Sequence, residues 1–330
     1  MVEALGHYKI LERVGAGGLG EVFRARDTRH GRTVAIKMVP AGVAGDAGRR
    51  AEFLRAAREI ALLSHPNIAS LYEIGDEPDR LYLVFDFVSG ETLKAAIAGR
   101  PLNPRRAIDL AAQIADGLAD AHAAGIVHGD VRTDNIVVTP KGNAKILDVG
   151  LAAWTNGGSQ RRQAAALHAP EAAPGTADQT SGVAPYLSPE QALGEPVDDR
   201  TDIFSLGVVL FEMLTGKPPF AAATASGVVL QIVQAPAPQP SAINRSLPPE
   251  IDPVVAKALA KSLDHRYGSA AAMAADLRSV GALLDVRSEA AERDPASVVV
   301  RPPQRSYGTL IALLVVLAAL AAAGWFFYGF

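Results

Sequence analysis

Gly15-Ala16-Gly17-Gly18-Leu19-Gly20-Glu21-Val22 is the stretch whose reading decides the fold. Its GxGxxG spacing suits a turn that cradles phosphate, because glycines without a Cβ let backbone N–H groups approach phosphate oxygens closely. A dinucleotide-binding loop shares the spacing but opens a helix. Here a strand follows the glycines, so Tyr8–Val14 and Glu21–Arg26 flank the turn. Fifteen residues beyond Val22, Val34-Ala35-Ile36-Lys37 puts one lysine in an otherwise apolar strand. A buried ammonium needs a charge partner, and the α- and β-phosphates of a nucleotide supply one. The plainer alternative is an edge lysine whose head reaches solvent.

Outward from this stretch, residues 8–88 read as strands with one helix. Thr33–Val39, Ile68–Ile74 and Leu81–Val88 are apolar strands, and Phe53–Leu63 has helical spacing. After Gly90 the chain turns helical. Pro104–Ala124 lines up Ile108, Ala111, Ala115, Leu118 and His122 on one stripe, with His122 read as a packing residue. Asn135–Thr139 and Ala144–Leu147 form a short hairpin, and residues 152–181 lack periodicity and read as a long loop. Helices return at Asp202–Leu214, Ile251–Lys261 and Ser269–Leu284. The expectation is an α+β fold with a strand-rich first lobe (8–88), a helical second lobe (89–285) and a cleft between them.

Composition narrows the function. Cysteine is absent from the 330 residues, which excludes a disulfide framework, a zinc–thiolate site and a cysteine nucleophile. A net charge of −3 provides no broad basic field for nucleic acid. The first residues lack a basic flank leading into an apolar run, so no signal peptide is expected. From Gly308 to Phe330 there is no charged residue. About 20 helical residues span a bilayer core of roughly 30 Å, so 308–330 reads as a transmembrane helix after a polar, proline-bearing linker, 286–307. Arg301 and Arg305 precede it and Trp325, Phe326, Phe327 and Tyr328 close it. Basic residues favour the cytoplasmic side, so 1–307 is expected in the cytoplasm of a single-pass protein of the cell membrane, with no sensor domain beyond the helix.

His128-Gly129-Asp130-Val131-Arg132-Thr133-Asp134-Asn135 follows the long helix, and Asp148-Val149-Gly150 begins thirteen residues after Asn135. With the glycine loop, Lys37, Ser188-Pro189-Glu190, Asp202-Ile203-Phe204-Ser205-Leu206-Gly207 and Arg266, the order and spacing resemble a protein kinase over residues 8 to about 285. Ser188-Pro189-Glu190-Gln191 and the Leu-Pro-Pro-Glu at 247–250 are most similar to bacterial membrane-bound, eukaryotic-like Ser/Thr kinases. The resemblance implies a bilobal kinase fold and transfer of the γ-phosphoryl of ATP, with magnesium, to Ser or Thr hydroxyls of proteins, including its own loop.

It also assigns roles. Asp130 would accept the substrate hydroxyl proton, Arg132 would stand beside the γ-phosphate, and Lys37 would grip the α- and β-phosphates. Val14, Gly15, Gly17, Gly20, Val22 and Ala35 would line the nucleotide site, and Asn135 and Asp148 would hold magnesium. Phe85 would back the adenine, with backbone groups of Asp86 and Val88 bonding the purine. Asp202 would brace the catalytic loop, and Glu190 would pair with Arg266. Thr176, Thr180 and Ser181 are the candidate autophosphorylation sites, and a homodimer is compatible with the family.

Several positions depart from the pattern. Ala56 stands where a helix glutamate pairs with the lysine, and Glu52 and Glu59 flank its face as substitutes or as plain solvent charges. Gly129 replaces an arginine that reads loop phosphate, and Arg132 replaces a lysine. Val183 lacks a hydroxyl expected near Asp130, Val149 replaces a phenylalanine, and Leu19 replaces a loop-tip aromatic. One lost charge-assisted contact costs on the order of 1.5–3 kcal/mol, roughly ten- to a hundredfold in rate. The rival readings are therefore a nucleotide-binding pseudokinase acting as a membrane scaffold and, more remotely, a small-molecule phosphotransferase.

Overall fold

The computed structural model describes residues 4–17, 19–77, 80–154 and 184–293. Strands β1 (Ala4–Leu5), β2 (Tyr8–Ala16), β3 (Glu21–Asp27), β4 (Thr33–Met38), β5 (Leu71–Glu77) and β6 (Arg80–Asp86) form one antiparallel sheet in the order β1-β2-β3-β4-β6-β5. Side chains alternate between its faces. Val34 and Ile36 of β4 pack with Leu5, Tyr8, Ala25, Tyr82 and Val84 on one face. Leu81, Leu83 and Phe85 of β6 join the main core on the other. The β3–β4 register pairs Val22 with Lys37, and the β4–β6 register pairs Lys37 with Leu83 and Ala35 with Phe85. Hydrogen-bond registry thus carries the exit of the glycine turn, Lys37 and the end of β6 to one place.

Two helices lie between β4 and β5. The short α1 (Ala41–Ala44) was not foreseen, and α2 (Ala47–Ile60) begins earlier than its apolar spacing suggested. Asp46 explains the early start, because its side chain accepts the amide of Arg49. Phe53, Ala57 and Ile60, at four- and three-residue steps, face the core. The strand expected over Ile68–Ile74 starts only at Leu71, since Ile68 forms a parallel bridge with Ile146 instead.

Beyond β6, strands β7 (Glu91–Thr92), β8 (Ile136–Val138) and β9 (Ala144–Ile146) make a small sheet around the expected hairpin. The remainder is helical. α3 (Leu93–Ile97) precedes α4 (Pro104–Ala123), whose start is set by Asn103 as cap and Pro104 in the first turn. Next come α5 (Pro189–Leu193), α6 (Arg200–Thr215), α7 (Ala225–Gln234), α8 (Pro240–Ile243), α9 (Ile251–Ala258) and α10 (Ala270–Arg293). Helix α6 is buried on nearly every side and forms the centre of this lobe. Sequence periodicity found α4, α6, α9 and α10 but not α5, α7 or α8. A short apolar run such as Val228-Val229-Leu230 carries too few turns to show a period.

Helix α10 takes in 286–293, the start of the predicted linker. The rest of that linker, the predicted transmembrane segment 308–330, Gly18, and most of the predicted 152–181 loop with Thr176, Thr180, Ser181 and Val183 lie outside the described residues. Among the described residues, no helix is long and apolar enough to cross a membrane.

Candidate active site

Lys37 is buried, and its Nζ forms an ion pair with Oδ1 of Asp148. It also stands 5.7 Å from the centre of the Phe85 ring. The acid that meets it therefore comes from beyond β9 and not from α2. Glu52 and Glu59 are both exposed, with Ala56 half-buried between them, so neither takes the place of the missing helix glutamate. What α2 offers this region is apolar: the Phe53 ring meets Trp154 edge-on at 5.4 Å. Asp148 holds φ at +63°, a left-handed conformation uncommon outside glycine. Such a conformation costs on the order of 1–3 kcal/mol and persists where surrounding contacts over-determine it.

Asp130 lies on the same floor. Asn135 Nδ2 donates to the Asp130 carbonyl at 2.9 Å and to its Oδ2 at 2.8 Å. That use of the nitrogen leaves the Asn135 amide oxygen as the acceptor end. Arg132 Nε is 3.3 Å from Asp130 Oδ2. His128 is fully buried and bonded at both ring nitrogens: Nε2 to the Leu147 carbonyl at 3.0 Å, Nδ1 to the Asp130 N–H at 3.2 Å. An amide donating to Nδ1 requires the neutral tautomer with its proton on Nε2, which then donates to Leu147. Leu147 N–H donates to the Asn135 carbonyl at 2.8 Å, so the segment before Asp148 is fastened to the loop that carries Asp130 and Asn135.

Burial raises the Asp130 pKa above its ordinary value. The Arg132 guanidinium and the bond from Asn135 pull it down, and nearby Asp148 pushes it up again. A quarter of its side chain still meets solvent. The result is a carboxylate more basic than a free aspartate yet reachable from outside.

Two layers support this floor. Asp202, with no exposure, accepts the amides of His128 and Gly129, each at 2.8 Å, which is the bracing expected of it. Its Oδ2 also bonds His122 Nε2 at 2.8 Å. The reading of His122 as a mere packing residue is corrected by that bond. The helical stripe placed it against α6 but could not show that a buried acid would be waiting there. Deeper still, Glu190 and Arg266 form the expected buried pair at 2.8 Å. Burial alone would raise the Glu190 pKa, but bonds from Arg266 and Thr201 outweigh it and hold it below the usual carboxylate value.

The remaining predicted positions lie along the glycine turn and β6. Gly17 N–H closes the turn on the Gly20 carbonyl at 2.8 Å. A Cβ at Gly20 would run into the Met38 carbonyl, so the close approach of β3 to β4 requires glycine there. Val14 is 58% exposed, Val22 and Ala35 are half-buried, and Gly15 meets no neighbour where a Cβ would stand. Leu19, the supposed loop tip, is only 2% exposed. Asp86 and Val88 follow Phe85 as expected. The Asp86 side chain, however, is tied to Lys145 of β9 at 3.3 Å, a link between the lobes that no sequence pattern announced.

A third unforeseen contact involves Thr133. Its hydroxyl is 2.8 Å from that of Tyr186, which is 2.6 Å from Glu212 Oε2. Tyr186 gives its one proton to Glu212, so Thr133 is the donor in the first bond.

Could these residues hold a metal? Asp148 keeps one carboxylate oxygen beyond the Lys37 bond, and Asn135 keeps its amide oxygen. That pair suits a hard cation bound through one or two protein oxygens and substrate phosphates. No group of three or more His, Cys, Asp or Glu side chains among the described residues forms a protein cage for an ion.

Most of the chain is similar to known proteins. PknB, a serine/threonine-protein kinase of Mycobacterium tuberculosis (strain H37Rv), is 39% identical over 276 residues, covering 82% of this chain and 42% of its own length. PrkC of Bacillus subtilis (strain 168), also a serine/threonine-protein kinase, is 37% identical over 275 residues, covering 83% and 40%. The chain thus spans less than half the length of these curated relatives. The crystal structure of the M. tuberculosis PknI kinase domain superposes with a TM-score of 0.64 over 86% of this chain and 99% of that one, at 22% identity, a likeness of fold alone. The protein kinase domain model matches residues 8–277, and the chain belongs to the protein kinase family, on the side of the bacterial Ser/Thr-type kinases.

Proposed function

We propose that the chain transfers the γ-phosphoryl group of ATP to Ser or Thr hydroxyls of proteins. The observation that carries this is the convergence of two bonded pairs, Lys37 with Asp148 and Asp130 with Asn135, joined by the Leu147 N–H bond to the Asn135 carbonyl. Phosphoryl transfer needs little covalent help from the protein and much positioning and charge compensation. Lys37 would exchange part of its bond to Asp148 for the α- and β-phosphates, while the glycine turn from Gly15 to Gly20 would bring backbone N–H groups to them. Ala35 and Val22 would face the base, and backbone groups of Asp86 and Val88 would bond it. Asp130 would orient the acceptor hydroxyl and take its proton, and Arg132 would hold negative charge next to it. Asn135 and Asp148 would hold magnesium, which when bound neutralises the phosphates.

The membrane part of the reading rests on residues 308–330, whose uncharged run suits a single span with the kinase on the cytoplasmic side. Ala56 in the slot of the helix glutamate motivates a second reading, a scaffold that binds nucleotide without turnover, which the likeness to serine/threonine-protein kinases does not favour.

One experiment separates them. The full chain is incubated with γ-labelled ATP and magnesium beside Asp130→Asn. Label on protein in the parent alone is the expected result. ATP binding without transfer in either protein moves the reading to the scaffold, and label confined to small molecules moves it to another class of phosphotransferase.

A further inference from the structure

The peptide unit joining Gly129 to Asp130 is held along both edges. A peptide plane turns as a rigid body, so its carbonyl and the next N–H swing together. The N–H edge, on Asp130, is taken by His128 Nδ1 at 3.2 Å. The carbonyl edge, on Gly129, is taken by Gln191 Nε2 at 2.8 Å.

Gln191 is 2% exposed, and its orientation is fixed by chemistry. Its Oε1 accepts the Ser188 N–H at 3.0 Å, which leaves the amide nitrogen as the end that faces Gly129. Helix α5, which carries it, does not float. Ser188 Oγ lies 3.3 Å from Thr201 Oγ1, Thr201 donates to Glu190 at 2.6 Å, and Glu190 is paired with Arg266.

Gly129 has φ at +75°, a conformation that suits glycine and resists other residues. Glycine there has no side chain to immobilise itself, and its permissive backbone makes the following carboxylate easy to swing. The arginine of the family pattern is absent from this position. Bonds from outside the loop therefore supply the stiffness, Asp202 at the Gly129 N–H and Gln191 at its carbonyl.

We propose that Gln191 is a positioning residue for Asp130: by clamping the Gly129 carbonyl it fixes the plane from which the Asp130 carboxylate departs. The proposal rests on Asp130 being the proton acceptor. It makes the segment from Ser188 to Leu193 a direct mechanical partner of the catalytic loop, through a neutral amide.

Gln191→Glu tests it in the full-length chain, solubilised in detergent. The glutamate still accepts from Ser188 but turns a carboxylate oxygen toward the Gly129 carbonyl. Gln191→Met, which removes the donor without adding charge, is measured beside it. The expected result is a fall in kcat of roughly tenfold, with the KM for ATP within about twofold of the parent and a Tm lower by only a few degrees. Amide hydrogen exchange is followed in the peptide containing Gly129 and Asp130, and should quicken in both variants. Unchanged kcat overturns the proposal, as does a kcat loss that comes with matching losses in ATP binding and Tm, which would mark a general structural role. Unchanged exchange overturns the clamp regardless of turnover. A parent chain that transfers no phosphate sinks the functional reading instead, while the exchange result still decides the clamp.

Discussion

Around Asp130 the chain is stitched by short bonds within its own lobe, from Asn135, His128, Leu147 and Asp202. Across the cleft, Lys37 meets an acid that belongs to the floor, while α2 carries Ala56 where a carboxylate would stand and packs through Phe53 on Trp154. The difference is one of material. Polar bonds have direction and fix a side chain to within tenths of an ångström, whereas apolar packing fixes a helix but not a charge. In this protein the floor that carries the proposed chemistry is held by polar bonds, and α2 is held in place by apolar packing.

The comparison can be broken most sharply at Asp130. Asp130→Asn removes the proposed proton acceptor but keeps the shape, and should lower turnover by roughly 10²–10⁴-fold, read as initial phosphate transfer at saturating ATP. A parent-like rate would show that the floor does not hold the chemistry.

Next in size is the buried base of the same lobe. Glu190→Gln leaves the Arg266 guanidinium, with no side-chain exposure, short of its anion. The cost should be about 3–5 kcal/mol in urea unfolding. Because the Glu190 pKa is lowered on folding, its contribution is present above the unfolded carboxylate value and fades as pH falls through the folded one. Parent and variant should therefore converge in stability toward acid. A constant gap across that range would mean Glu190 is not the titrating partner.

A subtler test uses the raised pKa of Asp130. The base must be ionised to work, so the acid limb of the pH–rate profile should lie above the range of a free aspartate. Arg132 is one of the groups that lower it, so Arg132→Ala should move the limb to still higher pH. A limb that moves down, or not at all, would remove Arg132 from the electrostatics of the floor.

The smallest effect is expected on the roof. Glu52→Ala with Glu59→Ala removes two exposed acids that touch nothing in the cleft, and turnover should stay within about twofold. A large loss would mean that α2 rotates during the cycle to bring one of them to Lys37.

Much of this was legible beforehand because kinase chemistry is local in sequence. The glycine turn with a strand behind it, the lysine in an apolar strand, and the Asp130–Asn135 and Asp148 segments each sit in a few consecutive residues. Their neighbours announce the element that carries them. The contacts that went unseen join residues far apart with no shared pattern: Asp86 to Lys145, His122 to Asp202, and Thr133 to Tyr186 and Glu212. Each is an ordinary residue type on an ordinary element, and its role exists only where another chain segment passes. Helices α5 and α8 were missed for a related reason, being too short for a periodicity to declare itself, and α7 because its consecutive apolar run Val228-Val229-Leu230 hides one.

The sequence by itself determined the lobes, the order of the chemical groups and the identity of the atoms available for phosphate and metal. Those depend on residue type and near-neighbour spacing, which the covalent chain already contains. Only the tertiary structure decided that Lys37 pairs with Asp148 and leaves α2 without a partner for it, and that a distant glutamine bonds the Gly129 carbonyl. Both outcomes depend on how closely separate elements approach, and that distance is set by packing of the whole core, which no single stretch of sequence encodes.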